Sequence, residues 1–316
     1  MDATHVSQED NGSVMTPFQE RISGNVPAVL TALNSNLNVD VSAQRRMTRR
    51  LVDHGCRGVV VLGTSGEFAG IDDDQRETAI RSVVEESDGQ IPVIVGCGQP
   101  NVRRTHEQAR AAGDLGADGL LVNPPFYFDM SQEEIVRFFS ELVSVSPLPV
   151  MLYNIPKLTG VTVEPATIPR LQEVGVQGVK DSSGLPANTL AYLTALGPES
   201  DFRVVVGGDA FFLHLLDAGV CATTGLLGNI APQMAVRIHE AWLAGDYRTG
   251  FAAQRRVNAL FDAFVPLHEF LHATGKAVLS ELGIMEKWVA PPKTPMTKAQ
   301  AVHAFEAVRE FLPEFE

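Results

Sequence analysis

The chain has 316 residues, 45% of them hydrophobic, and carries a net charge of −13 without a basic cluster. That length and composition suit one large soluble domain or two small ones, and the acidity disfavours a nucleic-acid or anionic-membrane partner. No apolar stretch approaches membrane-spanning length, and three widely spaced cysteines without a C-x-x-C pair fit a reducing, cytoplasmic compartment with neither a disulfide framework nor a zinc cluster.

Residues 1–24 are polar and acidic, lack the apolar core of a secretion signal, and read as a mobile leader. From there two signals alternate. An apolar residue followed by proline opens a strand at Val26-Pro27, Ile91-Pro92 and Leu148-Pro149, where the first position need not donate to a ladder. A helical pattern closing on Gly-x-x-Gly leads into a strand at Gly55–Gly58, Gly116–Gly119 and Gly175–Gly178; the first glycine suits a left-handed helix end. Strands are predicted at 26–31, 58–62, 92–96, 119–122, 149–153, 178–180, 203–206 and 222–225. Most are continuous apolar runs, as parallel strands covered on both faces require. One helix follows Asp72-Asp73-Asp74, acids suited to a helix N-terminus. Another starts at Ser131, where Ser131-Gln132-Glu133-Glu134 has capping-box spacing. Strands recurring about every 30 residues predict an α/β fold, a (β/α)8 TIM barrel over residues 25–244, with a doubly wound sheet as the alternative. Residues 245–316 read as a C-terminal extension of three helices, at 247–264, 267–282 and 298–311.

In such a barrel the C-terminal strand ends form the mouth. They carry Thr64 and Ser65 after strand two, Asn123 to Tyr127 after strand four, Tyr153 at five, Lys180 at six, Asp209 after seven and Thr224-Gly225 at eight. This set contains no metal-ligand cluster and no Ser-His-Asp arrangement. Lys180 closes the apolar run 176–180, where an ammonium is costly unless it is paired or deprotonated. Pairing with its neighbour Asp181 is the structural explanation; an amine kept neutral to attack a carbonyl is the chemical one. Tyrosines beside such an amine suit Schiff-base chemistry, with a phenol moving protons to and from the developing alkoxide. A core Tyr153 with a satisfied hydroxyl is the alternative. His268-Glu269-Phe270-Leu271-His272 matches H-E-x-x-H on a predicted helix, but lies in the helical tail with no third ligand soon after, so no metal is expected.

Gly63-Thr64-Ser65-Gly66-Glu67, Tyr153-Asn154-Ile155-Pro156 and Gly178-Val179-Lys180-Asp181 resemble, in order and spacing, the dihydrodipicolinate synthase/N-acetylneuraminate lyase superfamily, over nearly the whole chain from about residue 24. The resemblance implies a pyruvate-dependent class I aldolase on a barrel, a homotetramer needing no cofactor beyond a covalent imine between Lys180 and pyruvate. It makes Tyr153 the acid/base and matches Thr64 and Ser65, in the turn with Gly63 and Gly66, to the hydroxyl pair that contacts the pyruvate carboxylate and relays protons. It also makes Tyr127 the tyrosine that neighbouring subunits exchange. Ser182, Asp209, Thr224, Gly225 and Leu158 complete the expected substrate contacts. Members that make dihydrodipicolinate carry an arginine where this chain has Leu158, beside Lys157, and losing a bidentate carboxylate clamp is not conservative. Gly225 fits the lyase branch, but Asp209-Ala210 lacks that branch's second acid. The expected substrate is therefore a 2-keto-3-deoxy sugar acid or a related 4-hydroxy-2-oxo acid, ahead of a sialic acid and then of dihydrodipicolinate synthesis. A catalytically silent sensor of 2-oxo acids is the alternative of a different class.

Overall fold

Eight parallel strands close around one axis in the computed structural model, which describes residues 16–315. They are β1 (Gly24–Asn25), β2 (Val59–Val61), β3 (Val93–Gly96), β4 (Gly119–Val122), β5 (Val150–Asn154), β6 (Gly178–Asp181), β7 (Arg203–Val206) and β8 (Ala222–Thr223), in the order β1-β8-β7-β6-β5-β4-β3-β2. A parallel bridge between Ala28 and Val60 closes the ring, with Val29 N–H donating to Val60 O at 2.9 Å. The fold is the expected (β/α)8 barrel.

Helices cover the ring: α1 (Pro17–Arg21), α2 (Val41–Asp53), α3 (Asp73–Ser87), α4 (Val102–Asp114), α5 (Gln132–Val145), α6 (Pro156–Thr159), α7 (Ile168–Glu173), α8 (Pro186–Leu196), α9 (Phe212–Asp217) and α10 (Pro232–Leu243). The tail adds α11 (Tyr247–Phe264), α12 (Leu271–Glu281) and α13 (Lys298–Val308). Local chemistry sets their ends. Ser131 and Glu134 form the capping box of α5, and Asp40 and Asn101 cap α2 and α4 with their side chains. Gly55, Gly116 and Gly175 have φ of +80°, +84° and +94°, so each ends its helix in the left-handed region. The second glycine of each pair packs tightly: a Cβ on Gly119 would lie 2.3 Å from the Phe18 ring.

Three expectations need correction. Strand one is Gly24–Asn25 rather than 26–31, because Pro27 has no N–H for a continuous ladder and the chain swings across to bridge β2 at Ala28. Part of the expected mobile leader is structured: Thr16 and Gln19 form a capping box that starts α1, while residues 1–15 lie outside the described residues. The second tail helix begins at Leu271, not 267, since Val265–Leu267 form a 3-10 turn and His268 is extended at φ −165°.

The core has two layers. A large one lies between sheet and helices. A smaller one fills the barrel, from Phe18 and Ile22 at the N-terminal end through Val60, Ile94 and Leu121 to Tyr153 near the mouth. The barrel is thus a packed interior that ends, on one side, in reactive groups.

Candidate active site

Side chains alternate across a strand, so neighbours on β6 must face opposite ways. Lys180 points into the barrel, 4% exposed, and its Nζ sits 4.5 Å from the centroid of the Tyr153 ring. The two residues are register partners on β5 and β6. The Tyr153 hydroxyl lies 3.1 Å from Thr64 Oγ1, making a chain from amine to phenol to alcohol. Asp181 faces outward. Its carboxylate accepts hydrogen bonds from Asn154 Nδ2 at 2.9 Å, Thr189 Oγ1 at 2.7 Å and Asn188 Nδ2 at 3.1 Å. Pairing with Asp181 therefore does not explain Lys180.

The turn after β2 holds Thr64 in place. Leu62 and Glu67 have positive φ, +55° and +57°, and Thr31 Oγ1 donates to Gly66 O at 2.7 Å. A Cβ on Gly66 would lie 2.9 Å from both N and Cα of Leu62, so only glycine fits. Gly63 and the buried Ser65 belong to the same turn. Glu67, which closes it, is buried in an ion pair with Lys276 of α12 and accepts from Ala290 N at 2.6 Å. Lys276 also donates to Trp288 O at 2.7 Å, and burial pushes its ammonium below the usual lysine range against the pull of Glu67. Sequence reading missed this pair. A lysine embedded in the small and apolar run 273–279 was the available signal.

The remaining expected residues divide. Thr224 and Gly225 are buried at the end of β8, and Thr224 N donates to Val206 O at 2.8 Å. Asp209 is covered: Thr223 Oγ1 donates to its Oδ1 at 2.8 Å, and its carboxylate fills the space a Gly225 Cβ would need. Burial raises the Asp209 carboxyl above the usual carboxylate range, opposed by the Thr223 hydrogen bond and by Lys180. Ser182 packs against Gly207, with its N–H on Asn154 O at 2.7 Å. Tyr127 stands out in solvent, 85% exposed at φ +86°, edge-on to Phe128 with ring centroids 5.2 Å apart.

Beside the Thr64–Tyr153 pair opens a cavity of about 300 Å³. Asn123 and Phe126 line it from the barrel side, Leu158 from α6, and Phe270, His272 and Lys293 from the tail. Burial and the nearby Lys276 push the His272 imidazole down to about 4, which leaves it neutral at pH 7. His268 precedes α12, so the H-E-x-x-H run is not on one helix. Among the described residues no group of three or more His, Cys, Asp or Glu could hold a metal ion. Nor is any described helix long and apolar enough to cross a membrane.

Residues 21–310 match the model of the dihydrodipicolinate synthetase family. A 4-hydroxy-tetrahydrodipicolinate synthase of Methylococcus capsulatus is 32% identical over 291 residues, covering 92% of this chain and 97% of that protein. YagE of Escherichia coli, whose name assigns it provisionally as a 2-dehydro-3-deoxy-D-gluconate aldolase, is 28% identical over 283 residues, 89% of this chain and 94% of its own. The crystal structure of YagE in complex with pyruvate superposes with a TM-score of 0.87 at 26% identity, over 92% of this chain and 98% of that one. A dihydrodipicolinate synthase structure from Thermotoga maritima gives 0.86 at 27% identity, over 92% and 98%.

Proposed function

This chain belongs to the dihydrodipicolinate synthetase family and is an enzyme of its lyase and aldolase kind; from that premise we propose that it is a pyruvate-dependent class I aldolase acting on a 4-hydroxy-2-oxo acid through an imine at Lys180. The observation that carries this reading is the buried amine against the Tyr153 ring, with the phenol hydrogen-bonded to Thr64.

In the cleavage direction the Lys180 amine adds to the C2 carbonyl, and the carbinolamine loses water as Tyr153 gives up its proton, leaving an iminium and a phenolate. The phenolate takes the C4 hydroxyl proton, the C3–C4 bond breaks, and its electron pair enters the iminium to give an enamine and a free aldehyde. Tyr153 returns that proton to C3. Water then adds to the pyruvate iminium, giving its proton to the phenolate, and the amine is freed. The Thr64 and Ser65 hydroxyls and the turn's N–H groups suit the pyruvate carboxylate. A low-dielectric site strengthens the iminium–phenolate attraction.

Leu158 leaves no arginine at the position that would grip the carboxylate of aspartate semialdehyde, so that short, zwitterionic aldehyde is a poor partner. The 2-keto-3-deoxy sugar acids share the 4-hydroxy-2-oxo skeleton, and sialic acid comes after them. The exposed Tyr127–Phe128 pair supports a homotetramer in which subunits cover one another's aromatic surface. Three free cysteines favour a reducing cytoplasmic setting, and burial pushes the Cys56 and Cys97 thiols up to about 12.

Incubation with pyruvate and borohydride, followed by peptide mass spectrometry, tests the reading. A reduced pyruvyl adduct is expected on Lys180 and none in Lys180→Ala; Tyr153→Phe is expected to lower turnover about 10²–10⁴-fold. Pyruvate binding without an adduct identifies a sensor and refutes the aldolase.

A further inference from the structure

The cavity beside Tyr153 has a composition unlike a sugar site. Its walls are chiefly Phe68, Phe126, Ile155, Leu158, Phe270 and Pro292, and the acid expected to meet sugar hydroxyls, Asp209, is turned into its own hydrogen bond with Thr223. Its other polar groups are already engaged: Asn123 Nδ2 donates to Pro124 O at 2.9 Å, Thr159 Oγ1 to Ile155 O at 3.0 Å, and Glu67 pairs with Lys276. Hydroxyl groups placed against such walls lose their water for few new partners. Two polar features break the apolar lining on the side of the tail. Lys293 is exposed at the rim, its ammonium 5.3 Å from the centroid of the Phe270 ring, and among the described residues no carboxylate is paired with it. His272 stands edge-on to the same ring, and its Nδ1 is buried without a hydrogen-bond partner. A neutral imidazole with an unused nitrogen and a cation without an ion pair at the rim of an apolar cavity are the makings of a ligand site.

We propose that this cavity is the acceptor subsite and that it selects an aldehyde with an apolar body and a distal carboxylate, the carboxylate meeting Lys293 and the body lying along Phe126, Leu158 and Phe270. The inference rests on the aldolase reading above. Thr64 and Tyr153 are part of the cavity wall, their hydroxyls 3.1 Å apart, and the Tyr153 ring lies 4.5 Å from the Lys180 amine, so an aldehyde entering from the cavity meets the phenol with its oxygen. Bond formation joins the enamine carbon to the aldehyde carbon, and the Tyr153 proton neutralises the new alkoxide. The rest of the molecule extends into the cavity. Leu158, the residue that removes the usual arginine clamp, becomes part of the apolar wall, and the charge contact moves to the tail.

Each methylene seated against such a wall is worth about tenfold or more in kcat/KM, and a site with few free hydroxyl partners discriminates correspondingly against polyols. With pyruvate fixed, kcat/KM is measured for D-glyceraldehyde, D-erythrose, the alkanals from butanal to hexanal, and the ω-carboxy aldehydes of the same lengths. The alkanals are expected to exceed both sugars at least tenfold, and the best ω-carboxy aldehyde to exceed its matched alkanal by about tenfold. Lys293→Met is expected to reduce that second ratio to near one. A sugar preferred over every alkanal, or a carboxylate preference that survives Lys293→Met, overturns the inference while the borohydride adduct on Lys180 still stands. Absence of the adduct removes the aldolase reading and this one with it.

Discussion

Replacing Lys276 with methionine isolates the link between the catalytic turn and the tail. Methionine has nearly the same length and volume, so packing changes little. What changes is charge: Lys276 is fully buried and Glu67 nearly so, and the carboxylate keeps only its hydrogen bond from Ala290 N. Breaking a buried pair by removing one partner costs about 3–5 kcal/mol. An independent bound agrees. A stranded carboxyl group can take up a proton instead, and at pH 7 that costs about 4 kcal/mol from an ordinary glutamate value, at roughly 1.4 kcal/mol per pH unit. The variant's deficit should therefore shrink towards about 2 kcal/mol at pH 5.5. The double variant Glu67→Gln/Lys276→Met removes the stranded charge and should recover half or more of the loss at pH 7. Urea unfolding of the wild type and both variants at the two pH values gives all the quantities. A single variant within about 1 kcal/mol of wild type, or a double variant no more stable than the single, refutes the reasoning.

Gly66→Ala forces a Cβ against the Leu62 backbone and must shift the turn that carries Thr64. A displacement near 1 Å there should lower kcat/KM about 10²-fold, and a steady-state loss below about threefold would show that the turn yields elsewhere. Acid stability should fall through two imidazoles, His239 and His272, both pushed down to about 4 by burial, with Arg57 and Lys276 respectively assisting. Their unfolded forms bind a proton near pH 6.5 and the folded forms do not, so stability is lost as pH falls from there to about 4. The loss approaches about 3 kcal/mol for the well-buried His239 and less for the half-buried His272. Asp209, raised by burial, works in the opposite direction. Urea midpoints between pH 7 and pH 4 should show the decline, and His239→Gln should flatten its slope; an unchanged slope assigns the acid sensitivity elsewhere.

The barrel was legible in the sequence because its punctuation is local. Gly55, Gly116 and Gly175 each end a helix at positive φ, and the strands they introduce are short apolar runs bounded by proline or glycine. Lys180, Tyr153 and Thr64 could be placed together because strand ends in this fold converge on one mouth. Local signals fail where distant segments decide. Val26-Pro27 reads as the opening of a strand, whereas the two-residue strand Gly24–Asn25 ends just before it, because the chain's partners change from β8 to β2 within a few residues. Asp209 looked like a mouth residue, and only the position of Thr223 and the missing side chain of Gly225 show that it is covered. The tail's contribution to the cavity was invisible, since Phe270, His272 and Lys293 reach the barrel from more than 100 residues beyond Tyr153.

The filled barrel has a kinetic meaning for proton traffic. Phe18 and Ile22 stopper the end of the barrel opposite Lys180, with the aromatic ring pressed on Gly119 and aliphatic side chains stacked above it. From there to Tyr153 the interior is filled, so the amine meets solvent through one opening, the mouth. Every water consumed or released at the amine must use that opening, so a bound acceptor that blocks it also protects the enamine from stray protonation by solvent. Deuterium washed into the pyruvate methyl group should therefore slow as acceptor occupancy rises, and Phe18→Ala, which leaves the layers of Val60, Ile94 and Leu121 in place, should not restore it.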